Sequence, residues 1–527
     1  MSVPTAPSAP EPSADARVLQ AFGYRQELHR SMGRYASFAA GFSFISVLTT
    51  VFQFFGLGFA FGGPAFFWTW PVVLAGQFLV ALCFAELAAR YPISGAIYQW
   101  SSRMSTAAFG WFAGWIMVLG QVVVIAAAAL ALQVVLPAIW DGFQLVGGDP
   151  SPVSGTGAAN AAVLGLILLA ATTFVNVLDN RIMARVNVVG VTAEIIGAVL
   201  IVVLLLTHAD HAPSATFHVG AGRGGAFGAL LVASFAAAYV LIGFDSAGEM
   251  SEETRRPRAV APRTILTALG AAGLLGGLII VAGLLAAPSL TDGRLATDGL
   301  SYVLTSRLGD WVGKVLLADV VVAICVATLA IQTAATRMLF SMARDGMVPF
   351  SRPLARISPR TGMPIGTALV TGVLAALVVM LDFASPDAFL AIGTTCIVMV
   401  YVAYAMVIGP LLYQRLRGSW RGGAPAGTDE AGRRLFSLGR WGLPVNALAL
   451  AYGLAMAVNL AWPRPAVYAP ASGQWYFTWF TVLFLGGAVV VGALYRRSSA
   501  ARSGRVEQAP AEAGQPGQVA LGDAANA

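Results

Sequence analysis

The chain has 527 residues, of which 57% are hydrophobic and only 11% are charged. Soluble domains carry about 25% charged residues, so this composition excludes an ordinary soluble protein and indicates a protein with many membrane spans. The net charge of +7 does not indicate a nucleic-acid partner, because the basic residues stand in short segments between apolar stretches and form no basic patch with interleaved aromatic residues.

Twelve stretches are long and apolar enough to be membrane-spanning helices, which need about 20 residues each. In chain order they lie near residues 36–59, 66–88, 107–136, 158–178, 187–207, 226–252, 264–287, 311–342, 365–382, 388–413, 443–462 and 475–495. No segment between them is long enough for a soluble catalytic domain. The sequence therefore predicts an all-α polytopic membrane protein with 12 transmembrane helices.

An even number of spans places both termini on the same side of the membrane. Of the 32 Lys and Arg residues, 27 fall on that side and 5 on the opposite side. Because positively charged loops remain in the cytoplasm, this asymmetry predicts two cytoplasmic termini in a multi-pass protein of the cell membrane.

No motif for enzymatic or ATP-driven chemistry interrupts the spans, since the chain has no Walker sequence and no H-E-x-x-H. The cysteines lie in apolar segments without metal-like spacing, and the histidines lie in loops or in the N-terminal tail: Cys83, Cys325, Cys396, His29, His208, His211 and His218. We therefore expect no cofactor and no metal, and a membrane-embedded enzyme or a sensor is only a distant alternative.

The sixth predicted span contains the most unusual sequence of the chain, residues 238–257. An apolar helix there meets Gly243, Asp245 and Gly248. An interrupted helix with a charged residue is costly in hydrocarbon unless protein or a water-filled cavity surrounds it. Interrupted helices of this kind form the substrate sites of secondary transporters, whereas the plain alternative is a helix that ends early at a glycine.

Three motifs occur in a fixed order along the chain. Residues 85–98 contain an acidic residue followed by Leu, then Tyr-Pro and Gly-x-x-Tyr; residues 238–263 contain the interrupted helix followed by Arg-Pro and Pro-Arg; residues 336–349 contain Arg-Asp-Gly-x-x-Pro. Together they resemble the amino acid–polyamine–organocation (APC) permease superfamily over roughly residues 25–500. Residues 42–50 and 62–64 are most similar to its amino acid/choline branch, which includes γ-aminobutyrate permeases.

The resemblance implies a leucine-transporter-type 5+5 inverted repeat, in which spans 1 and 6 are broken and spans 11 and 12 are peripheral. The expected divisions are a disordered cytoplasmic tail at 1–34, five-helix repeats at 35–207 and 208–413, a cytoplasmic linker at 414–442, peripheral helices at 443–497 and a disordered cytoplasmic tail at 498–527.

The resemblance also implies a secondary active transporter that moves amino acids or related amines by alternating access. Acidic residues at mid-depth in the membrane favour symport with protons, while an amino acid or amine exchanger and a choline or polyamine permease are the alternatives. The expected partners are a small-molecule substrate, the proton and the lipid bilayer, without nucleic acid. Nothing in the sequence indicates an oligomeric state.

In the first span, the break is usually rich in glycine in this family, but the matching stretch here, residues 47–52, has none. Ser46, Thr49 and Thr50 are therefore the candidates for bonding freed backbone groups and substrate, or else they only pack between helices.

In the sixth span, the substrate-binding candidates are Tyr239, Gly243, Phe244, Asp245 and Ser246. By resemblance, Asp245 is the family's acidic position for coupling and gating, and Tyr239 is the aromatic residue that covers the substrate from outside. The alternatives are an acid that only caps freed N–H groups and an aromatic residue that only packs.

Glu194 in the fifth span is the second candidate for proton coupling. It stands nine residues, or about 13 Å along a helix, from Arg185 and so lies near mid-membrane. The aligned position in some proton-coupled relatives is a lysine that substitutes for a sodium ion, so the charge is reversed here. The alternative is a structural carboxylate that bonds a neighbouring helix.

The remaining polar residues near these spans are flanking or gating candidates. Asp319, Gln121 and Gln332 lie on spans that flank the site in this fold, although polar side chains also hold helices together. The candidates for an inner gate are Glu86, with Arg90 one turn away, together with Glu252, Glu253 and Arg344. The alternative for Glu86 is a pair that anchors the loop, and the alternative for the other three is a surface ion pair, which is commonly weak.

Overall fold

The computed structural model describes residues 14–178, 180–219, 225–385, 387–420, 434–468 and 473–498. The regular secondary structure in these ranges consists of helices, and an isolated β-bridge joins Met32 and Thr254. The helices are α1 (Ala14–Ala21), α2 (Arg34–Ile45), α3 (Val47–Gly62), α4 (Thr69–Arg90), α5 (Ala96–Met104), α6 (Ala107–Leu130), α7 (Leu132–Ile139), α8 (Gly155–Leu178), α9 (Asn180–Thr207), α10 (Gly225–Val240), α11 (Ser246–Glu249), α12 (Pro257–Ala286), α13 (Arg294–Thr297), α14 (Gly299–Arg344), α15 (Ser351–Leu354), α16 (Ile365–Val379), α17 (Ala388–Leu416), α18 (Gly442–Ala461), α19 (Pro465–Tyr468), α20 (Trp475–Thr478) and α21 (Phe480–Arg497).

Ten helical stretches of the described chain are long and apolar enough to cross a membrane. The first of them, Arg34–Arg90, contains two predicted spans: α2 with α3 form the first, and α4 forms the second after a short 3₁₀ helix at Gly63–Trp68. The shorter apolar helix α10 belongs to the sixth span. These segments account for all the predicted spans and confirm an all-α polytopic membrane protein.

Burial separates a central group of helices from a peripheral one. The stretch Ala107–Ile139 contains α6 and α7, and 78% of its apolar 18-residue segment is buried within the protein. The corresponding segments of the stretches with α18 and α21 are only 22% and 17% buried. Apolar side chains that stay exposed on a membrane helix face lipid, so the last two spans lie at the periphery.

Two span boundaries differ from those expected. The break of the first span lies at Ser46, between α2 and α3, one residue before the expected stretch 47–52. A break without glycine forms there because Ser46 itself adopts a left-handed conformation, with φ 36° and ψ 89°. The eighth span is part of a longer helix, α14, which changes direction at Gly309 (φ 77°, ψ 165°).

Residues 14–33, the N-terminal strap, fold against the ends of the spans, although the sequence predicts a disordered tail up to residue 34. Leu19, Leu28 and Met32 are buried. The N–H of Met32 donates to the carbonyl of Glu253 at 3.0 Å, and the N–H of Arg255 donates to the carbonyl of Met32 at 3.0 Å. Buried apolar side chains and these backbone bonds order the segment despite its polar composition. Residues 421–433 of the expected linker and all of the expected C-terminal tail after Ser498 lie outside the described residues.

Candidate functional site

The break of the first span is held by a chain of side-chain hydrogen bonds. A left-handed conformation costs a non-glycine residue about 1–2 kcal/mol. The Ser46 hydroxyl donates to Glu194 Oε1 at 2.9 Å, so its 2.7 Å hydrogen bond with Thr49 has the Thr49 hydroxyl as donor. The Thr50 hydroxyl donates to the Ser46 carbonyl at 2.7 Å. These bonds offset the strain at Ser46 and explain why serine replaces the usual glycine.

Glu194 also caps the helix that starts after this break. The first N–H groups of a helix have no partner within it and carry partial positive charge. The N–H of Leu48, in the first turn of α3, donates to Glu194 Oε1 at 3.2 Å. The start of α3 could hold the carboxylate of a ligand. In the structure the buried carboxylate of Glu194 occupies this position.

The other carboxyl oxygen of Glu194, Oε2, is buried and has no hydrogen-bond partner among the described residues. On the same helix, Gly197 packs against the carboxylate of Asp319 from α14, whose Oδ2 is likewise unpartnered in the described part of the chain. Two acids thus lie in one region between α9 and α14, and no described ion pair neutralises either of them.

The break of the sixth span is closed by glycine and a tyrosine from another span. Gly243, between α10 and α11, has φ 92°, and the Phe44 ring occupies the space that a side chain at this position would need. Its N–H donates to the Tyr404 hydroxyl at 3.0 Å, and that hydroxyl donates to Asp245 Oδ1. Tyr404 on α17 therefore bonds both the freed backbone and the acid at the break.

Asp245 and Glu249 form a buried pair of acids one helical turn apart. Both are fully buried, and Glu249 Oε1 accepts a hydrogen bond from Gln121 Nε2 at 2.7 Å. Asp245 Oδ2 and Glu249 Oε2 have no hydrogen-bond partner among the described residues, and neither acid is in a described ion pair. Two unpaired charges in this environment would cost several kcal/mol, so the arrangement suits a proton or a bound cation.

A small cavity separates the two breaks. The cavity has a volume of about 10 Å³, counted as the space that the centre of a water molecule can reach, and it has room for about one water molecule. Side chains from α2, α3, α6, α10 and α14 and the breaks line it: Phe44, Ile45, Ser46, Thr49, Thr50, Val124, Ala128, Tyr239, Ile242, Ala327 and Ile331. Tyr239 is buried and its ring centroid lies 4.2 Å from that of Phe54 on α3. The cavity is therefore enclosed by buried side chains.

The structure brings only part of the expected substrate site to this cavity. Ser46, Thr49, Thr50 and Tyr239 line it, whereas Gly243, Phe244, Asp245 and Ser246 are not among its lining residues in the described chain. Instead, the Phe244 ring packs against the rings of Phe84 and Tyr404, with centroids 5.9 and 5.4 Å apart. Ser246 is fully buried. The acid of the sixth span is thus not part of the cavity lining, although Ile242, three residues before it, is.

Glu252 is paired on the side where α14 ends. Arg344 binds it with two hydrogen bonds, Nη1 to Oε2 at 3.0 Å and Nη2 to Oε1 at 2.9 Å. Glu252 Oε1 also accepts from the N–H of Ser94 at 3.1 Å. This forked pair joins the segment after α11 to the end of α14.

Glu253 and Glu86 each pair with a different arginine, and the partner of Glu86 is not the expected one. Arg337 Nε lies 2.5 Å from Glu253 Oε1, and both side chains are fully buried. Glu86 pairs with Arg415 of α17, so the expectation that Arg90 is its partner is wrong. The guanidinium carbon of Arg90 instead lies 4.3 Å from the ring centroid of Trp420.

The N-terminal strap covers the Glu252–Arg344 pair. The Tyr24 hydroxyl donates to Asp345 at 3.0 Å, and the guanidinium carbon of Arg344 lies 4.2 Å from the Tyr24 ring centroid. Asp345 also accepts from the Tyr98 hydroxyl at 2.9 Å and from Gln99 Nε2 at 3.1 Å. Burial raises the pKa of Asp345, and Arg344 and the three hydrogen-bond donors lower it again in part. The strap thus supplies one of the hydrogen bonds that lower the pKa of Asp345.

Sequence reasoning missed Glu249 and Tyr404. Glu249 was detectable, because it follows Asp245 by four residues and so lies on the same helix face. Tyr404 gave no signal, since it is one aromatic residue within an apolar span. Gln121 contacts Glu249, whereas Gln332 Nε2 donates to Thr173 at 2.7 Å and holds α14 against α8.

Comparison with known proteins identifies the family of the chain. The family model described as amino acid permease matches residues 35–488. The chain is similar to an uncharacterised amino-acid permease of Schizosaccharomyces pombe, with 24% identity over 86% of the chain and 81% of the relative. It is also similar to amino-acid permease BAT1 of Arabidopsis thaliana, with 25% identity over 84% and 88%, and to amino-acid permease 2 of Neurospora crassa, with 26% identity over 88% and 84%.

The family model covers most of the chain, including both breaks and the enclosed cavity between them. Together with the apolar helices, it excludes an ordinary soluble enzyme. The chain belongs to the amino acid permease family of the APC superfamily.

Proposed function

We propose that this permease binds an amino acid or related amine between the two breaks, where the small cavity must widen to admit it, and carries it together with a proton. Glu194 at the start of α3 is the observation that carries this proposal. In the other half of the site, Asp245 and Glu249 supply buried negative charge. The two breaks therefore offer one end of the site to a carboxylate and the other to an ammonium group.

The substrate carboxylate competes with Glu194 for the start of α3. While Glu194 is ionised, it bonds the Leu48 N–H and the Ser46 hydroxyl and repels a second carboxylate. Protonation of Glu194 removes that repulsion and weakens its hold on the N–H group. Binding of the proton and of the substrate then favour each other by the same factor, which is the thermodynamic requirement for symport.

The ammonium group is directed to the end of α10 and to the neighbouring acids. The last carbonyl groups of a helix have no donor within it, so they attract a cation. Asp245, whose Oδ1 is bonded to Tyr404, adds negative charge directly behind this point. Tyr239 and Phe54 close the cavity on the side toward the end of α3.

Alternating access requires the closed contacts on both sides of the cavity to open in turn. On the proposed cytoplasmic side, Glu252–Arg344, Glu253–Arg337 and the strap form the gate. Glu86 and Arg415 fasten α17 to α4 on this side. The arginine distribution supports cytoplasmic termini and location in the cell membrane.

Uptake into proteoliposomes with an imposed pH gradient tests the proposal. We expect uptake of neutral amino acids to rise as the outside is acidified, and Glu194→Gln to flatten this pH dependence, because glutamine keeps the shape but does not titrate. Glu27→Gln, at an exposed position of the strap, is the matched control and should keep the wild-type profile.

Two outcomes would contradict proton symport. An unchanged pH profile in Glu194→Gln, with lower thermal stability, would make Glu194 a structural cap. Uptake that requires substrate inside the vesicles and moves no protons would identify an exchanger, which is the alternative mechanism.

A further inference from the structure

We infer that a groove between α2 and α12 binds the headgroup of an anionic phospholipid. The groove has a volume of about 330 Å³, within the usual range of ligand pockets. It is lined by Arg34, Tyr35, Phe38, Arg256, Ala259, Val260, Arg263, Thr264 and Thr267. It lies outside the cavity between the breaks and shares no lining residue with it.

Three arginines give the groove an unbalanced positive charge. Arg34 begins α2, Arg256 immediately precedes α12, and Arg263 lies in the second turn of α12; all three are exposed. In the described chain their guanidinium groups make no hydrogen bond or ion pair, and the lining includes no acid. Asp15 accepts from the backbone N–H of Arg256, but it also lies 3.7 Å from Arg30, which balances its charge.

Guanidinium groups bind phosphate oxygens in a forked geometry, so the charge favours a phosphate. The rest of the groove favours a lipid phosphate over free phosphate, because Phe38, Ala259 and Val260 provide an apolar wall beside the arginines. Basic pockets between membrane helices at this level are suited to anionic headgroups, with the acyl chains extending along the helices into the hydrocarbon.

A lipid in this groove would join two elements that separate when the inner side opens. The helix α2 is one half of the broken first span, and α12 follows the segment that carries Glu252 and Glu253. The two helices already meet at the groove, where the Ser37 and Thr264 hydroxyls lie 3.4 Å apart. The bound headgroup would hold α2 against α12 and favour the inward-closed state. This consequence, though not the binding itself, rests on the proposed transport mechanism and orientation.

Binding of defined lipids to the full-length protein in detergent tests the inference. Native mass spectrometry and thermal unfolding should show tighter binding and greater stabilisation by phosphatidylglycerol than by phosphatidylcholine, while inorganic phosphate at equal concentration should have no effect. The combined variant Arg34→Gln, Arg256→Gln, Arg263→Gln should lose about 100-fold in affinity for phosphatidylglycerol, since each basic residue near the headgroups adds about a fivefold factor.

The combined variant Arg352→Gln, Arg356→Gln, Arg360→Gln is the matched control. It removes the same charge from three exposed arginines of a different segment, and it should bind phosphatidylglycerol as the wild type does. If both variants lose affinity equally, the attraction is a general surface effect and the inference is wrong. If inorganic phosphate displaces the lipid, the site binds free phosphate instead.

Arg263→Gln alone should lose about fivefold in affinity and keeps the test informative if the triple variant does not fold. The lipid measurement does not depend on transport. An unchanged pH profile of uptake in Glu194→Gln, with intact lipid selectivity, would refute only the proposed function. A flattened pH profile in Glu194→Gln, with no preference for phosphatidylglycerol over phosphatidylcholine, would refute only the lipid site.

Discussion

In the first span the chain turns at Ser46, whereas in the sixth span it turns at Gly243. Ser46 pays for its left-handed conformation with hydrogen bonds to Thr49 and Glu194, so its break is held by local side chains and one acid from α9. Gly243 needs no such compensation, but it needs the absence of a side chain, because Phe44 packs against it.

The two breaks also differ in what their acids do. Glu194 caps the start of α3 and bonds backbone N–H groups directly. Asp245 bonds the Tyr404 hydroxyl, which in turn receives the Gly243 N–H. A break can therefore be stabilised by a carboxylate at a helix start or by a hydroxyl that links the freed backbone N–H to a carboxylate. In the second arrangement the carboxylate is freer to exchange its hydrogen-bond partner.

The largest expected effect comes from Gly243→Ala. A side chain at φ 92° is strained and would collide with Phe44, so we expect a loss of about 3 kcal/mol in stability and little folded protein. Gly228→Ala on the preceding helix, α10, is the control, because no atom lies within 4 Å of the added methyl group. Thermal unfolding in detergent measures both. Equal stability of the two variants would show that the sixth-span break does not require glycine.

An intermediate effect is expected from Asp245→Asn. The variant should insert and fold, yet its uptake rate should fall about 10- to 100-fold, because a buried hydrogen bond to a charged group contributes about 1.5–3 kcal/mol. Asp141→Asn, at an exposed loop position, is the control for the loss of an acid. If Asp245→Asn kept wild-type uptake and unchanged proton dependence, the inferred functional difference between Asp245 and Glu194 would be wrong.

The smallest expected effect separates strain from hydrogen bonding at Ser46. Ser46→Ala and Ser46→Gly both lose the hydroxyl that bonds Glu194, but only glycine relieves the left-handed strain. We therefore expect the alanine variant to be about 1 kcal/mol less stable than the glycine variant. Identical unfolding temperatures would mean that the backbone at Ser46 is not strained.

Several elements of the site were accessible from the sequence. Gly243 and Asp245 were identifiable because a flexible residue and a charge within an apolar span are both costly in a membrane. Ser46, Thr49 and Thr50 were named as candidates at the expected break, residues 47–52, although Ser46, one residue before that stretch, forms the turn itself. The pairing of Glu86 was wrong, because a nearby Arg90 was preferred over the distant Arg415.

The sequence by itself determined the helical class and the number and order of spans, because the length and apolarity of each segment decide whether it crosses a bilayer. The resemblance to the family came from the three motifs at residues 85–98, 238–263 and 336–349. Only the tertiary structure decided which polar groups meet. Ser46 and Glu194 are 148 positions apart, Asp245 and Tyr404 159, and Glu86 and Arg415 329. Such partners are selected by the packing of whole helices, and the hydropathy of a segment carries no information about the helix face that its neighbour presents.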